Sequence, residues 1–178
     1  MAAKGEAFEL TGIVRLIADR RIVAFDQESS DRLPSRGQVA VELSGACDTV
    51  TVVLDPDGRK GHWLSIDGSG PVDIDAEPGS KLAFTAQLCG SWPETEVPGD
   101  LSAALKDTPE LDGTWAGLTP MARWEWVRWV GATKNPQTRQ RRVEVSISKL
   151  LDGKRRPCCF DLSSCTDPEV AKGGKLIV

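Results

Sequence analysis

The chain has no tyrosine, a single histidine (His62) and no run near the roughly 18 consecutive apolar residues that a spanning helix requires. Proton-transfer chemistry is therefore short of its commonest side chain. A transmembrane helix is not expected, and the first ten residues carry Lys4, Glu6 and Glu9 where a secretory leader needs an unbroken apolar stretch. A cytoplasmic location, with no membrane partner, is the expectation. Cysteines number five, an odd count, and without an export signal they point to reduced thiols rather than a disulfide framework. What is present is ordinary for a folded protein: 178 residues, 40% hydrophobic and 27% charged. That length suits one large domain or two small ones, either able to bury a core.

Charge divides the chain. Residues 1–97 hold 9 Lys+Arg against 16 Asp+Glu, net −7, whereas residues 98–178 hold 13 against 10, net +3. Between Arg123 and Arg156 there are 10 basic and 3 acidic residues, a local net of +7 that favours an anionic partner. Attraction between an acidic half and a basic half accounts for the same asymmetry.

The acidic half reads as strands. Val39, Val41 and Leu43 alternate with Ala40 and Glu42; Val50, Val52 and Leu54 alternate with Thr51 and Val53; Leu82, Phe84, Ala86 and Leu88 repeat the pattern. Phe8 to Ile17, Arg21 to Phe25 and His62 to Ile66 complete about six strands, separated by turns such as Asp55-Pro56-Asp57-Gly58 and Glu77-Pro78-Gly79. Six short strands in under one hundred residues imply a small barrel, because closure removes exposed edges. Gly12, inside the long first strand, is expected to mark a bulge or bend.

The basic half reads as helices. Asp100 is expected to cap a short helix through Lys106, and a further turn is expected near Pro109 to Trp115. Thr119-Pro120 opens a helix to about Thr133, and Asn135-Pro136 opens another to about Asp152 that Gly153 ends. On this last helix Val143, Ile147, Leu150 and Leu151 are expected on one face, with Arg139, Arg142 and Lys149 flanking it.

These helices carry a resemblance. Pro98-Gly99-Asp100-Leu101 with Ala104-Leu105, then Trp115, Leu118-Thr119-Pro120, Trp129, Lys134, Thr138-Arg139 and Arg141-Arg142, resemble the YdeI/OmpD-associated family, also called bacteriocin-protection proteins. Upstream, Leu54 to Leu64 and Ala76-Glu77-Pro78-Gly79 are similar to the small β-barrel domain of unknown function that often precedes it. The resemblance implies an N-terminal barrel and a C-terminal helical domain, in bacteria, and no established reaction. The expected divisions are a barrel at 1–92, a helical domain at 93–156 and a cysteine-containing, mobile or extended tail at 157–178.

Four groups of residues bear on function. Pro56-Asp57-Gly58-Arg59-Lys60-Gly61-His62 combines glycines, two cations and the one histidine, so Arg59, Lys60, His62 and backbone N–H groups are candidates to cradle a phosphate; a plain hairpin turn explains the same glycines. Arg139 and Arg142, three apart on a helix, make a guanidinium clamp for phosphate or carboxylate, with Thr138 in the helix's N-terminal turn; alternatively they pair with barrel acids or Glu125. Trp124 and Trp129 lie about 140° apart around their helix, so one belongs to a different face from the other, in a sandwiched helix or as a partner anchor or stacking platform. Adjacent Cys158-Cys159 with Cys165 lack zinc spacing, and no metal or cofactor is expected.

The reading is an α+β protein: a small six-stranded, mostly antiparallel β-barrel followed by a helical domain. The expected function is non-enzymatic binding of a small anion or an acidic protein surface near the barrel/helix junction. The alternatives are an enzyme using Asp57 or His62 with a bound cofactor, and an RNA-associated module, the latter less favoured because no RNP or KH signature is present. A monomer or weak dimer is expected.

Overall fold

The computed structural model of the chain describes residues 5–157 and 166–178. Six antiparallel strands close into a barrel: β1 (Phe8–Ile17), β2 (Arg20–Phe25), β3 (Val39–Gly45), β4 (Val50–Pro56), β5 (His62–Ser65) and β6 (Lys81–Leu88), in the order β1-β2-β5-β4-β3-β6. The alternation seen in the sequence fills its interior. Leu10, Val14, Val23, Phe25, Val41, Leu43, Val52, Leu54, Phe84 and Ala86 form one buried cluster, within which the Phe25 and Phe84 rings meet edge to face at 6.0 Å. Strand β1 serves two neighbours, pairing through Phe8 to Ile13 with β6 and through Gly12 to Ile17 with β2.

Gly12 sits where those two ladders overlap; of the bulge or bend expected from the sequence, no bulge is present, and the residue is a point of close approach. Its register is unbroken on both sides, Phe25 in β2 and Leu82 in β6. A Cβ there would stand 2.6 Å from the Ala24 carbonyl oxygen and 2.8 Å from Val23 Cγ2. Only glycine lets β2 come that near.

A short helix not anticipated in the sequence, α1 (Gln27–Asp31), follows β2. Asp26 caps it, accepting a bond from the Ser29 N–H at 2.8 Å. Its two buried serines tie the helix to the barrel: Ser29 Oγ accepts from Thr11 N–H at 2.8 Å, and Ser30 Oγ accepts from His62 N–H at 3.1 Å. The connection after β5 folds back through an Asp67/Asp73 bridge and is pinned to β2 by Arg20, whose Nε lies 2.6 Å from Asp67 Oδ2. Desolvation pushes the Asp67 carboxyl upward, but bonds from Ser69 and Arg20 outweigh it and hold the group well below the usual carboxylate range.

The second part is helical: α2 (Gly99–Lys106), a 3-10 turn at Pro109–Leu111, α3 (Asp112–Ala116), α4 (Pro120–Gly131) and α5 (Pro136–Leu151). The two proline-led starts have the caps their sequences announce. Thr119 Oγ1 accepts from Ala122 N–H at 3.2 Å, and Asn135 Oδ1 accepts from Gln137 and Thr138 N–H at 2.9 and 3.0 Å. Asp100 is not the cap of α2. Pro98 occupies that position, and Asp100 falls inside the first turn, free to turn its carboxylate elsewhere. The inward face of α5 consists of Val143, Ser146 and Leu150 with Ile147 partly buried, while Leu151 is 53% exposed and so leaves the face assigned to it from the sequence. Ser146 is tolerated there because its hydroxyl donates to the Arg142 carbonyl one turn back, at 2.7 Å. Trp126, fully buried, joins Leu111, Leu118, Ala122 and Leu150; Leu101, Val130 and Val143 form a second cluster.

The chain divides into two compact units, Met1–Pro93 with Lys175–Val178, and Glu94–Gly174. Short strands β7 (Ala171–Lys172) and β8 (Lys175–Leu176) flank Gly173-Gly174. Of the tail expected from residue 157 onward, Cys158, Cys159 and Cys165 lie outside the described residues. Cys47 and Cys89 are free thiols, partly buried, and burial pushes both upward in pKa. Among the described residues no helix is long and apolar enough to cross a membrane.

Candidate functional site

The first candidate, the β4–β5 loop, closes on itself. Asp57 N–H donates to the Gly61 carbonyl at 2.9 Å, and Asp57 Oδ1 accepts from both Arg59 N–H (2.6 Å) and Gly61 N–H (2.8 Å). Gly58 and Lys60 both take positive φ, +73° and +77°, which is what turns those N–H groups inward. The backbone does form an anion cradle, as the glycines suggest. Its anion is the chain's own carboxylate.

The loop's other predicted ligands are likewise committed. Arg59 Nη1 donates to the Leu176 carbonyl at 2.7 Å. Lys60 has an exposed side chain, and its carbonyl accepts from Arg36 Nη1 at 2.9 Å. His62 is fully buried: its Nε2 lies 3.0 Å from the Gly37 carbonyl, and it presents no edge to solvent. Burial drives its pKa below the ordinary histidine value, so the ring is neutral at physiological pH.

The second candidate lies on α5. Arg139 makes a two-pronged pair with Asp100, Nε to Oδ2 at 2.6 Å and Nη2 to Oδ1 at 3.0 Å. This is the fork-to-carboxylate geometry for which guanidinium is suited. The pair is at the surface, with side chains 33% and 42% exposed. The bond from Arg139 keeps the Asp100 carboxyl below its ordinary value, and Asp100 Oδ1 also accepts from Leu101 N–H at 2.9 Å.

Arg142, one turn along, reaches across to α4. Its Nη1 donates to the Trp129 carbonyl at 2.7 Å, and its guanidinium stands 5.3 Å from the Trp129 ring centroid. That carbonyl is among the last of α4, where a cation also answers the helix dipole. Thr138 is exposed in the first turn of α5, but its N–H and that of Gln137 are spent on Asn135. Arg139, Arg142 and Thr138 thus share one stretch of α5, with both guanidinium groups already engaged. Glu125 pairs with Arg156, Oε2 to Nε at 2.8 Å, and not with the clamp.

The tryptophans of α4 separate as their 140° spacing requires. Trp126 and Trp129 meet edge to face at 6.4 Å and belong to the helical cores, whereas Trp124 belongs to neither cluster and carries the Arg128 guanidinium at 5.5 Å. Among the partners unforeseen in the sequence are Asp100 for Arg139 and Leu176 for Arg59. Neither has a local signal, since they lie 39 and 117 residues away along the chain. Among the described residues no group of three or more His, Cys, Asp or Glu side chains is placed to hold a metal.

No curated protein and no solved structure matches the chain. Residues 94–153 match the family described as "Bacteriocin-protection, YdeI or OmpD-Associated". The match starts at the first residue of the second unit and ends just after α5, so it takes in Asp100, Trp129, Arg139 and Arg142 together. The helical unit is thus similar to that family over residues 94–153, and the barrel lies outside the match.

Proposed function

We propose that the protein is a non-enzymatic binding protein whose helical unit takes an anion at the Arg139 fork, either a small phosphate or carboxylate or an acidic protein surface. The observation that supports this is the Asp100 carboxylate itself, gripped at 2.6 and 3.0 Å at a half-exposed position. It stands where a ligand carboxylate or phosphate would stand. Because Asp100 is held by one side chain and one N–H, a ligand with more charge or more contacts displaces it without dismantling a helix. Thr138 and Arg142 share this stretch of α5 with the fork.

The enzyme reading has less behind it. Asp57 spends Oδ1 on two backbone N–H groups, and His62 is enclosed, so neither is placed to move a substrate proton.

The test compares phosphate with chloride at equal ionic strength, following the melting temperature and the amide shifts of α2 and α5, because a ligand bound only by the folded state stabilises it. Phosphate, like sulfate, strengthens burial in most proteins, so the rise that remains in the double substitution Arg139→Gln with Arg142→Gln is the non-specific part and the excess over it is the effect read. Asp100→Asn should enlarge this excess, and the amide shifts of α2 and α5 should respond to phosphate in Asp100→Asn but not in the double substitution. No excess in Asp100→Asn would leave Arg139 a strut and end the reading.

A further inference from the structure

We propose that the Asp57–Gly61 loop is an acceptor for an extended apolar strand, filled in this chain by its own residues Lys175–Val178, with Arg59 as the latch that closes it. This does not rest on the anion reading, which concerns the other unit. Leu176 is held from three directions. Its N–H donates to the Asp57 carbonyl at 2.9 Å, its carbonyl accepts from Arg59 Nη1 at 2.7 Å, and its side chain is 3% exposed. An added strand uses the same three elements: a main-chain donor, a main-chain acceptor and a slot for alternate side chains. Here a guanidinium replaces one of the backbone N–H groups that a neighbouring strand would offer. Ile177 and Val178, 41% and 88% exposed, lie beyond the grip.

The loop is rigid where it must be. Its carboxylate-filled turn, the Lys60 positive φ and the Arg36 bond to the Lys60 carbonyl hold the Asp57 carbonyl and Arg59 in place whether or not Leu176 is seated. The strand, by contrast, is lightly fastened. It is two residues long and follows Gly173-Gly174, both at positive φ, whereas β1 is paired through six consecutive residues to each neighbour. Segments with few bonds open before the body they rest on. Opening frees the Arg59 guanidinium and the Asp57 carbonyl together and exposes the Leu176 side chain.

Hydrogen exchange on the full-length chain tests this. Arg59→Gln should speed exchange at Leu176 by about tenfold or more while the amides of β1 and β6 stay as slow as before. Leu176→Asp should free the segment with the barrel still folded. A synthetic peptide with the sequence of Gly173–Val178, added to Leu176→Asp at millimolar concentration, should return the Gly58 amide signal, next to the Asp57 carbonyl, and the Arg59 side-chain signal toward their wild-type positions; the same peptide carrying the Asp should not. Ile177→Asp, outside the grip, should change nothing. The proposal is overturned if Arg59→Gln leaves Leu176 exchange unaltered, if Leu176→Asp unfolds the barrel, or if the wild-type peptide leaves the Gly58 and Arg59 side-chain signals where they were.

Discussion

Asp57 in the barrel unit and Asp100 in the helical unit each sit in a setting built for an anion, and the two are held by opposite means. In the barrel unit Asp57 is bound by N–H groups two and four residues ahead of it, inside its own turn. In the helical unit Asp100 is bound by Arg139, which is remote in sequence and carried on another helix. A local cradle cannot exchange its anion, because removing Asp57 removes the turn that orients the donors. A fork on a separate helix keeps its shape when Asp100 leaves, since α5 is fixed by Asn135, Val143 and Leu150. The same chemistry is therefore scaffolding in one unit and a candidate ligand site in the other.

The largest effect should come from breaking one unit without the other. Trp126 is fully buried, and its Nε1–H donates to the Arg155 carbonyl at 3.1 Å. Trp126→Ala removes both the ring and the bond, at an expected cost of about 3–5 kcal/mol to the helical unit. Denaturant unfolding followed by residue-resolved amide signals should show α4 and α5 melting early while β1 to β6 keep their midpoint. A shared loss across both sets would mean the units unfold as one, and the contrast drawn between them would fail.

Next in size is Asp57→Ala. Two N–H donors lose their acceptor and Lys60 loses the turn that compensates its positive φ, for an expected cost of about 1–3 kcal/mol. No added phosphate should recover it. Recovery by phosphate, read as a rise in melting temperature larger than the wild-type rise, would make the barrel loop the anion site and invert the assignment.

What the sequence disclosed and concealed follows the same local-versus-remote division. The barrel was legible because period-two runs such as Val39-Val41-Leu43 and Val50-Val52-Leu54 must bury one face, and the helix starts at Thr119-Pro120 and Asn135-Pro136 because capping acts within three residues. Helix α1 escaped because five residues carry no periodicity, although Asp26 three before Ser29 was a cap in plain form. The candidate site was legible only in its residue types. That Arg139 is answered by Asp100, Arg142 by the Trp129 carbonyl and Arg59 by Leu176 depends on packing that places distant segments side by side, and no spacing rule encodes it. His62 misled for the converse reason: a lone histidine in a glycine-rich turn looks available, yet its ring is turned wholly inward.

Acid should move the two units in opposite directions. His62 has a folded pKa below its ordinary 6.5, so its contribution is fully present above the unfolded value and declines as pH falls through 6.5, where the unfolded state takes up the proton first. Glu125 has a folded pKa raised by burial from 4.5, against an opposing pull from Arg156, so the folded helical unit binds its proton first and gains relative stability as pH falls toward that range. Between pH 7 and 5 the barrel amides should lose protection while those of α4 do not. His62→Phe should flatten the barrel's dependence, and because the chain has one histidine no other imidazole confuses the result. A barrel whose stability is level over that interval would show that the imidazole gains its proton without cost.

The smallest effect is the one that separates a strut from a site. The Asp100–Arg139 pair is exposed enough for water to screen it, so Asp100→Asn should lower stability by about 0–1 kcal/mol in spite of its good geometry. The loss should also be confined in pH. The Asp100 carboxyl is held below 3.8 by the bond from Arg139, so its stabilising contribution is present above that value and disappears as pH falls through the folded pKa. Wild type and Asp100→Asn should therefore converge in melting temperature in strong acid and differ slightly at neutrality. A difference well above 1 kcal/mol at neutral pH would mean that the pair is needed to join α2 to α5, and an exchangeable anion site could not be built on a bond the helices depend on.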